Sequence, residues 1–125
     1  MFKFRNFVTI IYYLIINNCI ADNDELVLKE VSKNLWVYNA INDSPNRFNN
    51  GLIANVTAIL GEKYTLVFDA GPSKQFAQKF INQIKSISNN PIKYLSKSHR
   101  HFDHSYVREP FIKERAKIYF DKKEF

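Results

Sequence analysis

The stretch from Tyr64 to Leu95 constrains the fold more than any other. It begins with a nearly continuous apolar run, Tyr64-Thr65-Leu66-Val67-Phe68. Five residues suit a strand, and so few polar groups predict burial on both faces. The run breaks at Asp69-Ala70-Gly71-Pro72, where glycine permits a tight turn and Pro72 favours the first position of a helix. The periodicity then changes. Phe76, Ala77, Phe80, Ile81, Ile84 and Ile87 make one apolar stripe, while Lys74, Gln75, Gln78, Lys79 and Lys85 take the other side. Asn89-Asn90-Pro91 ends the helix, and Ile92 to Leu95 reads as the next strand. A helix with a single apolar stripe must lay it on another layer, and the neighbouring strands supply that layer.

The rest of the chain adds strands to this unit. Leu26–Val31 and Leu35–Ala40 read as a hairpin turning at Ser32-Lys33-Asn34. Residues 41–50 (INDSPNRFNN) are dense in turn formers and make a loop, either a flap over a site or a plain surface connection. Gly51–Leu60 is a third strand, turning at Gly61-Glu62-Lys63. Val107–Arg115 reads as helical after Pro110, Ala116–Phe120 as a sixth strand, and 121–125 as a charged tail. A chain of 125 residues holds one domain. The expected class is α+β, a mostly antiparallel sheet with helices packed on one face.

The N-terminus is set apart by composition. Lys3 and Arg5 precede a ten-residue apolar run, Phe7–Ile16, followed by Asn17-Asn18-Cys19-Ile20-Ala21. That pattern matches a secretory signal peptide over 1–21, leaving 22–125 as the mature domain. It predicts a secreted or periplasmic location. Anchoring through an uncleaved N-terminus is the alternative, although the run is short of the ~20 residues a membrane span needs. Lipidation at Cys19 and a buried N-terminal strand are weaker readings. Cleavage would remove Cys19, the only cysteine, and with it any disulfide or thiolate ligand.

The chemistry is concentrated in Ser98-His99-Arg100-His101-Phe102-Asp103-His104, which holds all three histidines of the chain. Residues two apart on an extended chain point the same way, so His99 and His101 can reach one cation together. Asp103 continues the alternation. His104 converges only if the backbone turns there. Imidazole and carboxylate donors suit zinc, and also iron or manganese. Two such ions can hold a hydroxide nucleophile and polarise a carbonyl or phosphoryl group. Three clustered histidines with Asp103 as a helix cap is the competing structural explanation.

On these residues the chain resembles the metallo-β-lactamase superfamily, in particular its exported zinc-hydrolase-like members. The resemblance covers about residues 25–120. It rests on GLIANVTAILGEKYTLVFDAGPS, similar to the family's strand pair ending in an Asp-Thr-Gly-like turn, and on SHRHFDH, similar to its Thr-His-x-His-x-Asp-His signature. The resemblance implies a partial αββα sandwich, its first αβ half. It implies His99 and His101 as ligands of a first zinc, and Asp103 and His104 as ligands of a second. Asp103 would also act as catalytic proton shuttle. Asp69 would support the metal loop from behind, a role it shares with the alternative of turn residue or helix cap. Ser98 stands where the family has threonine and keeps the hydroxyl.

The implied activity is metal-dependent hydrolysis, with metal-bound hydroxide attacking an ester, thioester, amide or β-lactam. The family's further ligands lie downstream of this motif, and no histidine follows His104. The alternative expectation is therefore a truncated, non-catalytic remnant with at most weak metal binding. The expected partner is a small-molecule substrate. The sheet face left open by a missing second half is expected to be covered by a homodimer or by a second-half polypeptide. Nucleic acid is not expected, because the net charge of +6 is spread along the chain and Lys122-Lys123 is the only adjacent basic pair outside the motif.

Overall fold

The computed structural model describes residues 26–101, 104, 107–120 and 123, so the signal-peptide expectation for 1–21 lies outside the described residues. Six strands form one sheet in sequence order: β1 (Lys29–Ser32), β2 (Leu35–Tyr38), β3 (Val56–Leu60), β4 (Thr65–Phe68), β5 (Ile92–Lys97) and β6 (Lys117–Phe120). The first four pair antiparallel, whereas β4 with β5 and β5 with β6 are parallel. A parallel neighbour cannot be reached by a tight turn, so each parallel step carries a crossover helix. These helices are α1 (Lys74–Ile87) and α2 (Glu109–Lys113).

Helix α1 starts where its backbone donors find a cap. Ser73 Oγ accepts a hydrogen bond from the Phe76 amide at 3.1 Å. Pro72 therefore sits before the cap rather than at the first helical position, because the Ser73 hydroxyl can take an orphan amide and a proline ring cannot. At the other end the Ser88 amide donates to Ile84 O at 2.9 Å. The apolar stripe buries Phe76, Ala77, Phe80, Ile81 and Ile84 against the sheet. Opposite them, Val56, Ala58, Val67 and Leu95 are fully buried, one residue in two along their strands. Burying a side chain the size of Phe80 or Ile81 contributes roughly 1.5–3 kcal/mol, so this layer dominates stability. Phe111 of α2 closes the same core.

Gly71 lets the β4–α1 turn lie against that core. Its φ is +74°, and a Cβ there would collide with the Phe76 ring. Phe76 cannot easily yield, because its ring lies 5.0 Å from that of Tyr38 and 6.0 Å from that of Phe80.

β4 is not buried on both faces. Val67 and Thr65 are inaccessible, but Leu66 is half-buried and Phe68 is 42% exposed. The register explains this. Leu66 and Phe68 share a face with Thr57 and Ile59 of β3, Tyr94 and Ser96 of β5 and Tyr119 of β6. Both helices lie on the opposite face, so the Leu66–Phe68 face has no layer over it among the described residues. The expected α+β class, mostly antiparallel with helices on one face, is what the sheet shows.

Strand ends differ from expectation at β3. The expected start at Gly51 moves to Val56, because the Leu52 and Ile53 amides donate to Asn49 and Gly51 carbonyls in a local turn. β1 likewise begins at Lys29, although Leu26 and Leu28 are buried.

Candidate functional site

The carboxyl ends of the parallel strands β4 and β5 lie side by side and build the site. Phe68 pairs with Ser96, so Asp69 and Ser98 emerge next to each other. Asp69 turns there with φ 66°, a left-handed conformation that aspartate tolerates better than most residues. Its amide donates to Ser96 O at 2.8 Å, and the next amide, of Ala70, donates to His104 O at 3.0 Å. The strand end is thus sewn to the histidine segment by main-chain bonds before any side chain is counted.

The Asp69 carboxylate is 3% exposed and fully engaged. Oδ1 accepts from the Ser98 amide at 2.9 Å, and both oxygens lie 3.0 Å from Ser98 Oγ. Oδ2 lies 2.7 Å from His104 Nδ1. The cap of α1 is Ser73, not Asp69, so the carboxylate serves the histidine segment.

The histidines come together, although not by strand alternation. β5 ends at Lys97, and the chain bends at 100 and 101 rather than continuing as a strand. His99 Nε2 nevertheless lies 2.9 Å from His101 Nδ1, with the rings crossing at 80°. His104 does require the turn expected for it: its amide donates to His101 O at 3.1 Å. Its ring centroid then sits 4.1 Å from that of His99. Asp103 lies outside the described residues.

The two imidazole nitrogens are close together, and their donor chemistry suits a cation. They are hydrogen-bonded to each other. Two nitrogens on one tetrahedral zinc at ~2.05 Å would stand about 3.3 Å apart, so to serve as a ligand pair these two would have to rotate slightly and lose the proton they share. Among the described residues, no group of three or more His, Cys, Asp or Glu side chains is arranged to hold one metal ion.

Sequence reading missed one neighbour of the site. Lys97 is 5% exposed on the core side of β5. Burial chiefly, and then the positive charge of Arg108, push its pKa down to about 8, with Asp69 partly opposing. The signal was the alternation Leu95, Lys97, which puts both on the buried face once β5 is known to reach 97.

Beside the site, Pro72, Ser73, Lys74, Val107, Arg108, Glu109 and Ile112 line an open groove of about 560 Å³. No helix among the described residues is long and apolar enough to cross a membrane.

Comparison with other proteins agrees with this geometry. Residues 49–107 match the family model described as the metallo-beta-lactamase superfamily. The fold is similar to the metallo-beta-lactamase FIM-1 from Pseudomonas aeruginosa in its mono-zinc form, with a TM-score of 0.68 at 10% identity over 83% of this chain and 45% of that one. VMB-1 gives a TM-score of 0.65 at 22% identity, over 82% and 45%. The metallo-beta-lactamase from Pontibacter korlensis gives 0.62 at 14% identity, over 79% and 45%. The chain thus spans less than half the length of these solved structures. No curated protein matches the sequence.

Proposed function

We propose that this chain, which belongs to the metallo-β-lactamase superfamily, carries the leading ligands of a metal-dependent hydrolase acting on a small ester, thioester, amide or β-lactam. The observation behind this reading is the convergence of His99 Nε2 and His101 Nδ1, 2.9 Å apart at the carboxyl end of β5. Zinc, as one or two ions, suits the donors best, and iron or manganese can take the same set. When bound, such an ion activates water and polarises the scissile carbonyl. The chain's residues do the rest. His99 and His101 hold the first ion. His104, held by Asp69, joins Asp103 toward a second. Asp103 takes up and returns the proton. Ser98 and Asp69 keep the ligand rings oriented.

Export through residues 1–21 belongs to the same proposal, as does a second polypeptide layer, either a second half of the domain or a second copy, over the open face of the sheet. The test is elemental analysis of the purified full chain together with hydrolysis of a chromogenic β-lactam, a thioester and a phosphodiester. The reading expects bound zinc and turnover that disappears in His101→Ala. Absence of metal and of turnover on every substrate contradicts it.

A second reading, a non-catalytic remnant with weak metal binding, draws on one observation. Only two imidazole nitrogens converge among the described residues, whereas a catalytic zinc normally takes three protein ligands. Metal retained below one equivalent without turnover would support it.

A further inference from the structure

We propose that the outer edge of β6 is a self-association surface, to which a second copy of this chain adds its own β6 antiparallel, with Tyr119 on the two-fold axis. The two edges of the sheet are unlike. β1 is guarded: its register to β2 shifts between Glu30 and Ser32, Lys29 and Glu30 are charged, and the Glu30 carboxylate accepts from the Asn34 amide at 3.0 Å. Bulges and charges of this kind block pairing with another chain. β6 instead pairs with β5 in unbroken register over Lys117–Phe120, and no strand lies beyond it among the described residues. An edge of this sort offers its outward amides and carbonyls to a further strand.

The sequence of this edge is complementary to itself. Lys117-Ile118-Tyr119-Phe120-Asp121, reversed about Tyr119, sets lysine opposite aspartate, isoleucine opposite phenylalanine and tyrosine opposite tyrosine. In a two-fold pair each off-axis contact occurs twice, so both lysines meet an aspartate. Opposite charges and aromatic pairs directly across two strands stabilise an antiparallel ladder. A row of rings leads to the same place. Tyr64 and Tyr94 are 6.3 Å apart and Tyr94 and Tyr119 are 6.0 Å apart, and the row ends on Tyr119, which is 54% exposed. A second copy continues the row, tyrosine beside tyrosine. An unrelated strand would satisfy the backbone of β6 but not this pattern of charge and rings, which selects the chain itself. The pairing widens the sheet at its edge, apart from any layer over its open face, and it needs no metal.

The experiment is disulfide trapping in the full chain carrying Cys19→Ser, so that an introduced thiol is the only one. Tyr119→Cys places the two thiols on the axis, where directly opposed residues have Cβ atoms about 5 Å apart. It should form disulfide dimers at least about 10-fold faster folded than in urea, as expected when a pairing register holds the thiols together. Lys117→Cys should not crosslink to itself, because the two copies of position 117 are offset by four residues, ~14 Å along the strands. A mixture of Lys117→Cys and Asp121→Cys chains keeps Tyr119 and should crosslink as the heterodimer. Adding Lys117→Asp to Tyr119→Cys should slow trapping about 10-fold by opposing like charges, and adding Asp121→Lys as well should restore it. Circular dichroism checks that each variant is folded. The proposal is overturned if neither Tyr119→Cys nor the mixture crosslinks faster than the unfolded chain, if Lys117→Cys alone crosslinks as fast as they do, or if the double charge exchange fails to restore trapping.

Discussion

Thr65 and Asp69 stand at the two ends of β4 and show how differently a buried polar group can be treated. Asp69 has partners for both oxygens. Thr65 Oγ1 is buried in the core with no partner among the described residues. An unsatisfied buried hydroxyl costs about 1–3 kcal/mol, so Thr65→Val is expected to stabilise the fold by about 1 kcal/mol in denaturant unfolding. A loss of stability would show that the hydroxyl is bonded after all. At this scale the clustering of the histidines was legible, because all three lie between positions 99 and 104. The partner of Asp69 was not. Choosing between helix cap and support for the array required knowing that β4 and β5 are parallel neighbours, a pairing 29 residues apart in sequence.

At the scale of elements, α1 was read within a residue or two, since a 3.6-residue apolar period over four turns has one interpretation. The strands were less legible. Apolar content placed β3 correctly, but the hydrogen bonds of the preceding turn, not composition, set its start. The doubly buried reading of β4 failed because a nearly continuous apolar run does not reveal how many layers cover it. The two helices are also tied electrostatically. Glu109 at the start of α2 pairs with Lys74 of α1 and lies 3.4 Å from Lys113. The hydrogen bond from Lys74, then that from Lys113 and the charge of both, lower the Glu109 pKa below its ordinary 4.5. A carboxylate lowered in this way adds stability above its ordinary value, and that stability is lost as pH falls through the lowered one. Glu109→Gln should therefore flatten the acid limb of the stability–pH curve. The difference should shrink at about 1 M salt, because both partners are exposed. Identical acid limbs in variant and parent would show that the pair contributes nothing.

At the scale of the whole molecule, the sheet has two unlike faces. One is sealed by α1 and α2. The other presents Ile59, Phe68 and Tyr119, each more than two-fifths exposed. An apolar face of this kind marks an interaction surface or an aggregation liability. Light scattering of the full chain should show association rising with concentration. Ile59→Lys with Phe68→Lys should suppress it without loss of helix signal, since both side chains point away from the core. A monomer at every concentration would contradict a covered face. This scale was legible in part: the signature and strand pair pointed to half of a sandwich, and the chain indeed spans about 45% of the solved structures it resembles.

The most direct test of the account is zinc binding by the metal-free full chain, titrated against a competing chelating indicator. The account predicts at least one equivalent bound. Changing His99 and His101 together to alanine should weaken it by more than the about 10–100-fold that loss of an orienting residue costs. Lys63→Ala, in an exposed turn, should leave it unchanged. A parent chain that binds no zinc, or a double variant that binds it as tightly as the parent, would contradict the central claim that these histidines are metal ligands.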